Sequence, residues 1–104
     1  MPRPQRGEVW MVDLGLAAKA RPCLLLTGWP RDEELAMITV VAHTTTLRHI
    51  PWELAVPKSF LQEGAFHLQQ VQSVPVAKLM RKMGELTEAE FGTIKSKLKE
   101  RLGL

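Results

Sequence analysis

The sequence predicts a small, mainly β fold, a barrel or sandwich of short strands that is closed by one C-terminal helix. Up to residue 86, short apolar or alternating segments recur at regular intervals, separated by glycine, proline or charged residues. After residue 86, apolar residues recur instead at helical spacing. A chain of 104 residues that is 45% hydrophobic can form one core, so we expect a single domain, residues 1–104.

The predicted strands differ in how clearly the sequence marks them. Met37–Ala42 is the clearest, because it is dense in β-branched residues. The other strand candidates are short segments bounded by turn-forming residues: Glu8–Val12, Pro22–Thr27, Trp52–Val56, Phe66–Val74 and Lys78–Leu86. The acidic segment 31–34 is predicted to be a loop. Short, regularly spaced strands of this kind are typical of small barrels and sandwiches.

The C-terminal segment carries both a start signal and a stop signal for a helix. Thr87 and Glu90 have the spacing of a capping box, in which each side chain accepts a hydrogen bond from the backbone amide of the other residue. Gly103 is a typical C-terminal stop. We expect the helix to pack on the barrel through an apolar stripe, formed by Phe91, Ile94, Leu98 and Leu102.

Composition limits the classes of function. The net charge of +3 and pI near 9.4 favour a polyanionic partner, although only weakly. There is no apolar run of membrane-spanning length and no signal-peptide core at the N-terminus, so we expect a cytoplasmic protein without a membrane partner. Cys23 is the only cysteine and lies in an apolar run, where a buried thiol acts as a small hydrophobic side chain.

Most common catalytic motifs are absent. The sequence has no glycine-rich phosphate loop, no zinc-protease or serine-hydrolase motif and no carboxylates spaced to hold magnesium. The three histidines, His43, His49 and His67, are spread over three segments. We therefore expect neither a metal nor a cofactor, and any catalysis would rest on hydroxyls, guanidinium groups and at most one imidazole.

Two places carry groups suited to a phosphate. Arg21 stands at the start of the second predicted strand, where Pro22 restricts its backbone to an extended conformation. A guanidinium held there can pair with a phosphate through two hydrogen bonds. Thr44, Thr45 and Thr46 end the third strand, where hydroxyls and amides meet a turn. Both patterns are also common at solvated strand ends, so these local features alone do not decide whether a phosphate site is present.

Four segments, taken in order, resemble the MazF/PemK/Kid toxins. Residues Arg6–Leu14 resemble the opening "RGDIWLVDL" of that family, and residues Lys19–Leu26 resemble its "KxRPvvvl". Residues Ile38–Thr45 resemble "vivvPlTs", and residues Leu68–Val74 resemble "aDQvksi". The last helix also resembles the closing element of the family, so the match covers nearly the whole chain.

The resemblance implies an SH3-like β-barrel of the CcdB/Kid/MazF type with a C-terminal α-helix. It implies a homodimeric endoribonuclease toxin of a type II toxin–antitoxin system, with an acidic, MazE-like antitoxin as partner. Such enzymes cleave single-stranded RNA without a metal or cofactor. The 2'-hydroxyl attacks the phosphate, and the products are a 2',3'-cyclic phosphate and a 5'-hydroxyl.

The resemblance also assigns site residues. The catalytic arginine and threonine of the family fall on Arg21 and Thr44. Arg21 would stabilise the charge of the phosphorane, and Thr44 would hydrogen-bond a non-bridging oxygen. The positions implied to bind RNA are Lys19, Thr45, Thr46 and Gln70. We expect Arg21 and Thr44 to face solvent at strand ends. Because neighbours on a regular strand point to opposite faces, we expect His43 to lie away from the phosphate.

Three positions depart from the family pattern, and two alternatives remain open. The segment Gly15–Ala20 is shorter and more apolar than the RNA-covering loop of the family, Gln69 replaces an aspartate, and Ala42 stands where many members have proline. One alternative is a catalytically inactive barrel that acts only as a binding partner. The other is a CcdB-like gyrase poison, but this chain ends Leu-Gly-Leu at 102–104 and lacks the tryptophan of that family's tail.

Overall fold

The computed structural model describes residues 3–15 and 19–104, in which an antiparallel sheet is followed by one helix. The strands are β1 (Glu8–Asp13), β2 (Ala20–Leu25), β3 (Met37–Thr44), β4 (Glu53–Leu54), β5 (Ala65–Pro75) and β6 (Leu79–Glu85). A short 3-10 turn, Val76–Lys78, precedes β6, and the helix α1 covers Glu88–Leu102. The predicted order of six strands and a closing helix is confirmed. Within the described residues, no helix is long and apolar enough to cross a membrane.

The strand order is β4-β5-β3-β2-β1-β6, so the two long strands β3 and β5 lie side by side. The alternation of side chains gives the sheet two apolar faces. On β2, Leu24 belongs to one core cluster, whereas Cys23 and Leu25 belong to the other. The first cluster, which also contains Phe66, Leu68 and Ile94, is covered by α1. This division of the core explains why the central strands read as continuous apolar runs.

The pairing of β3 with β5 is interrupted near the end of β3. Val41 pairs with Val71, but two residues later His43 pairs with Phe66, so the intervening part of β5 bulges away from β3. This bulged part contains His67 and Gln70. Strand β4 pairs with it instead, through Glu53 opposite His67. The bulge thus opens space beside the end of β3.

The helix begins and ends as predicted. The Thr87 hydroxyl accepts from the Glu90 amide at 3.1 Å, and the Glu90 carboxylate accepts from the Thr87 amide at 2.8 Å. Gly103 adopts the left-handed conformation that ends the helix, with φ 71°. The predicted apolar stripe is too long by one residue, because Leu102 is 55% exposed. The helix contacts the sheet through its middle, around the buried Ile94, and its last turn extends beyond this contact.

Two predicted segments differ from the structure at their boundaries. The fourth strand is reduced to Glu53–Leu54, because only these two residues pair with β5. The second strand begins at Ala20, before Arg21, and not at Pro22. The altered segment 15–20 lies partly outside the described residues. In the described part of this segment, the Lys19 amide donates a hydrogen bond to the Gly15 carbonyl at 2.7 Å, and the backbone φ of Lys19 is 54°.

Candidate functional site

The start of β2 and the end of β3 lie next to each other. Cys23 pairs with Ala42 at this end of the two strands, and Arg21 and Thr44 each lie two residues beyond that pair. Both residues line a cavity of about 460 Å³ at this end of the sheet. The two residues that the resemblance assigned to catalysis therefore lie on adjacent strands at one site.

Arg21 is partly exposed and has no carboxylate partner among the described residues. The expectation that Thr44 faces solvent was wrong, since only 8% of Thr44 is exposed. The loop that ends at Gly64 packs directly on the Thr44 carbonyl. The Thr44 hydroxyl accepts from the Thr46 amide at 3.1 Å and donates to the Thr46 carbonyl at 3.4 Å. Because this second bond is long, the hydroxyl hydrogen can turn towards a ligand at little cost.

A smaller concavity of about 230 Å³ adjoins the same two residues. It is lined by Arg21, Thr44, Thr46, Arg48, His67 and Gln70. The β5 bulge places Gln70 there, beside the end of β3. No aspartate or glutamate lines this concavity or the larger one in the part of the chain that the structure describes. The two concavities are therefore suited to an anion.

Sequence reasoning missed Arg48 and His67 as members of this site. Arg48 belongs to the loop that follows Thr46, and the Glu53 carboxylate fixes that loop by accepting from the Arg48 amide at 2.9 and 3.1 Å. Glu53 also accepts from the Ile50 amide at 3.3 Å. The hydrogen bond from the Arg48 amide is the largest cause that lowers the pKa of Glu53, and the bond from the Ile50 amide lowers it further. The Glu53 carboxylate is therefore ionised at neutral pH. A charged residue two positions beyond a threonine run was the only available signal for Arg48.

His67 packs against the same carboxylate. Its Nε2 lies 4.0 Å from an oxygen of Glu53, and its Nδ1 accepts a hydrogen bond from the Gln69 amide at 3.2 Å. An Nδ1 that accepts has no hydrogen of its own, so the neutral ring carries its hydrogen on Nε2. The ring is therefore held from both sides at the wall of the smaller concavity.

His43 borders the larger cavity, as Thr44 does. His43 pairs with Phe66 and Thr44 pairs with Ala65 in regular register, so the two neighbours still alternate between the faces of β3. The expectation that His43 lies away from the phosphate stays a prediction. His43 is 4% exposed and meets Phe66 edge-on at 5.1 Å between ring centroids. Burial lowers the pKa of His43, so its imidazole is neutral at pH 7.

The structure brings together most of the residues assigned to RNA binding. Thr45 lines the larger cavity, and Thr46 and Gln70 line the smaller one. Lys19 is exposed just before β2, two residues from Arg21, and lines neither of them. The site is thus built from strand ends and from the loop after Thr44.

The described residues give little support to a reactive thiol or to a metal site. Cys23 is fully buried, and this burial raises the pKa of its thiol to about 12, so the protonated form persists at neutral pH. Within residues 3–15 and 19–104, no three side chains of the His, Cys, Asp or Glu type are grouped so that they could hold a metal ion.

The fold and the site together define a class of protein, a small β-barrel-like domain with an anion site made of arginine, threonine and glutamine. The family model of PemK-like, MazF-like toxins of type II toxin–antitoxin systems matches residues 5–102. The chain is 33% identical over 104 residues to the endoribonuclease MazF4 of Mycobacterium tuberculosis, covering 100% of this chain and 97% of that relative. The chain therefore belongs to the PemK-like, MazF-like toxin family.

Solved structures agree with this membership. A mycobacterial endoribonuclease in complex with its cognate antitoxin is 32% identical, with a TM-score of 0.80 over 97% of this chain and 96% of that chain. MazF from Deinococcus radiodurans is 18% identical and superposes with a TM-score of 0.81 over 100% of both chains, which shows the shared fold. The predicted SH3-like barrel type with a C-terminal helix is confirmed by these likenesses.

Proposed function

We propose that this protein, an endoribonuclease toxin of the MazF family, cleaves single-stranded RNA, including mRNA, by metal-independent attack of the 2'-hydroxyl. The presence of Arg21 and Thr44 in the same two concavities, which no carboxylate among the described residues lines, is the observation that supports this chemistry most directly. A phosphodiester is an anion whose negative charge increases in the transition state. A site lined by hydrogen-bond donors, with no carboxylate in the described lining, favours that state.

In the proposed reaction the RNA supplies its own nucleophile. The 2'-oxygen forms a bond to the adjacent phosphorus and gives up its proton to solvent water, while the bond from phosphorus to the 5'-oxygen breaks and that oxygen takes a proton from water. The products are a 2',3'-cyclic phosphate and a 5'-hydroxyl. Because a guanidinium remains protonated in proteins, we assign Arg21 to stabilising the charge of the phosphorane and not to transferring a proton. Thr44 would direct its hydroxyl hydrogen away from the Thr46 carbonyl and towards a non-bridging oxygen.

The remaining polar residues would bind the RNA on either side of the cleaved bond. Thr46 and Gln70 share the smaller concavity with Arg21, and Arg48 adds a second guanidinium there. Thr45 lines the larger cavity. Lys19 lies just before β2, where its charge would attract the RNA backbone without contacting the cleaved bond.

We also propose an acidic, MazE-like antitoxin and a second copy of this chain as partners, and the cytoplasm as the place of action. The antitoxin proposal is supported by the similarity to a mycobacterial endoribonuclease solved with its cognate antitoxin and to a MazE–MazF complex from Deinococcus radiodurans. The match of residues 5–102 to the family model of PemK-like, MazF-like toxins favours this function over the CcdB-like alternative.

Cleavage in the presence of a chelator tests the mechanism. The purified protein should cut single-stranded RNA in excess EDTA, and mass spectrometry of the fragments should show a cyclic phosphate on one end and a 5'-hydroxyl on the other. Activity that is lost in EDTA and restored by magnesium would refute the metal-independent mechanism. RNA binding without cleavage under all conditions would instead support the inactive-barrel alternative.

A further inference from the structure

We propose that His67 is a further residue of the cleavage site, a neutral imidazole whose Nε2–H group donates a hydrogen bond to a non-bridging oxygen of the cleaved phosphate. The proposal rests on the proposed cleavage of RNA and adds a third donor to those of Arg21 and Thr44. It assigns His67 to stabilising the charge of the phosphorane and not to transferring a proton.

The smaller concavity brings His67 to the phosphate that Arg21 and Thr44 would hold. These three side chains line it together, and they come from β5, β2 and β3. Its volume of about 230 Å³ lies below the roughly 300 Å³ at which pockets begin to hold a small organic ligand. The space therefore suits a phosphodiester group better than a whole nucleoside.

A hydrogen bond from the backbone determines which ring nitrogen of His67 carries the hydrogen. The Gln69 amide donates to Nδ1 at 3.2 Å, so the only lone pair that a neutral ring offers is already occupied. A protonated ring would carry a hydrogen on Nδ1 and would lose this bond. With its hydrogen on Nε2, the ring cannot accept the proton of the 2'-hydroxyl, but it can donate a hydrogen bond to an anion.

The Nε2 atom of His67 is a donor without an acceptor among the described residues. It lies 4.0 Å from Oε2 of Glu53, which is beyond hydrogen-bond distance, although only 6% of His67 is exposed. Within residues 3–15 and 19–104, no fully enclosed side-chain nitrogen or oxygen lacks a hydrogen-bond partner. Nε2 must therefore remain open to the concavity that His67 lines. A buried donor in this position favours a ligand that accepts from it.

Glu53 holds two walls of this concavity without lining it. Its carboxylate accepts from the amides of Arg48 and Ile50, which fixes the loop after β3, and it lies beside the His67 ring of β5. On the side of the concavity, the charges that face His67 are the guanidinium groups of Arg21 and Arg48. The donors are therefore in place before RNA binds, and such donors stabilise a charged transition state without reorganisation.

Two amide substitutions separate this role from a structural one. Asparagine is short, so His67→Asn keeps an acceptor near the position of Nδ1 for the Gln69 amide. Glutamine is longer, so His67→Gln keeps a donor near the position of Nε2. We expect His67→Gln to retain most of the single-turnover cleavage rate. His67→Asn should reduce this rate by about 10- to 100-fold with little change in KM, as expected for a lost hydrogen bond to a charged group. The proposal is overturned if His67→Asn is as active as His67→Gln.

His49→Asn is the matched control for the loss of an imidazole near the site. His49 is exposed, follows Arg48 directly and lines neither concavity. Its backbone φ is 58°, a left-handed conformation that asparagine tolerates. The variant should cleave at the rate of the unmodified protein. A loss equal to that of His67→Asn would show a general effect of removing an imidazole and would also overturn the proposal.

Nitrogen-15 NMR of the histidine side chains tests the unmodified, full-length protein, so the result does not depend on how the variants fold. The His67 ring should be neutral with its hydrogen on Nε2. The signal of this hydrogen should move when a fully 2'-O-methylated oligonucleotide, which cannot be cut, is added. A hydrogen on Nδ1, or a signal that RNA leaves unmoved, overturns the proposal. If the protein binds RNA without cutting it, the proposed function fails, while this measurement still decides whether His67 donates to the bound RNA.

Discussion

Arg21 and Thr44 contribute differently to the proposed reaction, although they line the same two concavities. Arg21 brings a permanent charge that no described carboxylate neutralises. Thr44 brings a single hydroxyl hydrogen, currently held by a long bond to the Thr46 carbonyl. Both interactions strengthen as charge develops on the phosphoryl oxygens, so both should affect kcat more than KM.

We predict that Arg21→Ala and Thr44→Val each reduce kcat by about 10²–10³, the usual cost of one preorganised donor to a charged transition state. Arg21→Lys should restore little, since an ammonium keeps the charge but loses the two-pronged geometry. Thr44→Ser keeps the hydroxyl and should retain most of the activity. Single-turnover cleavage, with melting curves for every variant, measures these effects.

Arg31→Ala is the control for a general loss of positive charge. Arg31 is exposed in the loop before β3, at the opposite end of that strand from Thr44, and should tolerate the change. A loss of activity in Arg31→Ala equal to that in Arg21→Ala would show that overall charge matters and not the position of one guanidinium.

Single residues show how far the sequence could predict the site. Arg21, Thr44 and Gln70 fell on recognisable motifs, and the structure groups them. The predicted alternation of His43 and Thr44 agrees with their regular pairing with Phe66 and Ala65 of β5. Phe60 and Gln62 lie in a loop without any motif, and only its contacts with β3, β6 and the helix bring them to the larger cavity.

At the scale of elements, local patterns predicted the strands that the core buries. Strand β3 was clear because its β-branched residues contribute to both core clusters. Strand β4 was overestimated, since alternation over residues 52–56 indicates a half-buried strand whether or not a partner strand continues beside it. The capping box of α1 was predicted correctly because it depends only on residues within one turn.

Two glycines in different elements give a matched prediction. A methyl group at Gly64 would overlap the backbone carbonyl of Thr44, whereas one at Gly92 of the helix meets nothing within 4 Å. Gly64→Ala should therefore displace either the loop or the end of β3, lowering both the melting temperature and the cleavage rate. Gly92→Ala should stabilise the protein by about 1 kcal/mol, because alanine is the better helix former.

Thermal unfolding and cleavage of one RNA by the two alanine variants check this prediction. Similar melting temperatures for Gly64→Ala and the unchanged protein would contradict the prediction, because they would mean that the loop ending at Gly64 moves off the Thr44 carbonyl without strain.

At the scale of the whole molecule, the resemblance to the MazF family implies self-association. Six large apolar side chains of the described residues are exposed, two of them on β6 and α1 and the others in loops or at the C-terminal residue: Met80, Leu102, Trp29, Leu35, Leu47 and Leu104. We predict a two-fold homodimer, with a mass twice the 11.7 kDa of the chain. Light scattering at micromolar concentration measures this mass. A monomer under these conditions would contradict the prediction and would place the complete RNA site within one chain.

The charge of the molecule leads to the prediction for the antitoxin. The net charge is +3, and the smaller concavity holds two guanidinium groups without a carboxylate in its lining. An acidic, disordered segment that folds across these groups would place its carboxylates where the RNA phosphates bind. Such a segment should act as a competitor: it should raise the apparent KM for RNA, leave kcat unchanged at saturating RNA, and lose potency as salt increases. Arg48→Ala should weaken this inhibition while Arg31→Ala should not. A cognate acidic peptide that binds tightly but leaves RNA cleavage unaffected would show that the antitoxin occupies another surface.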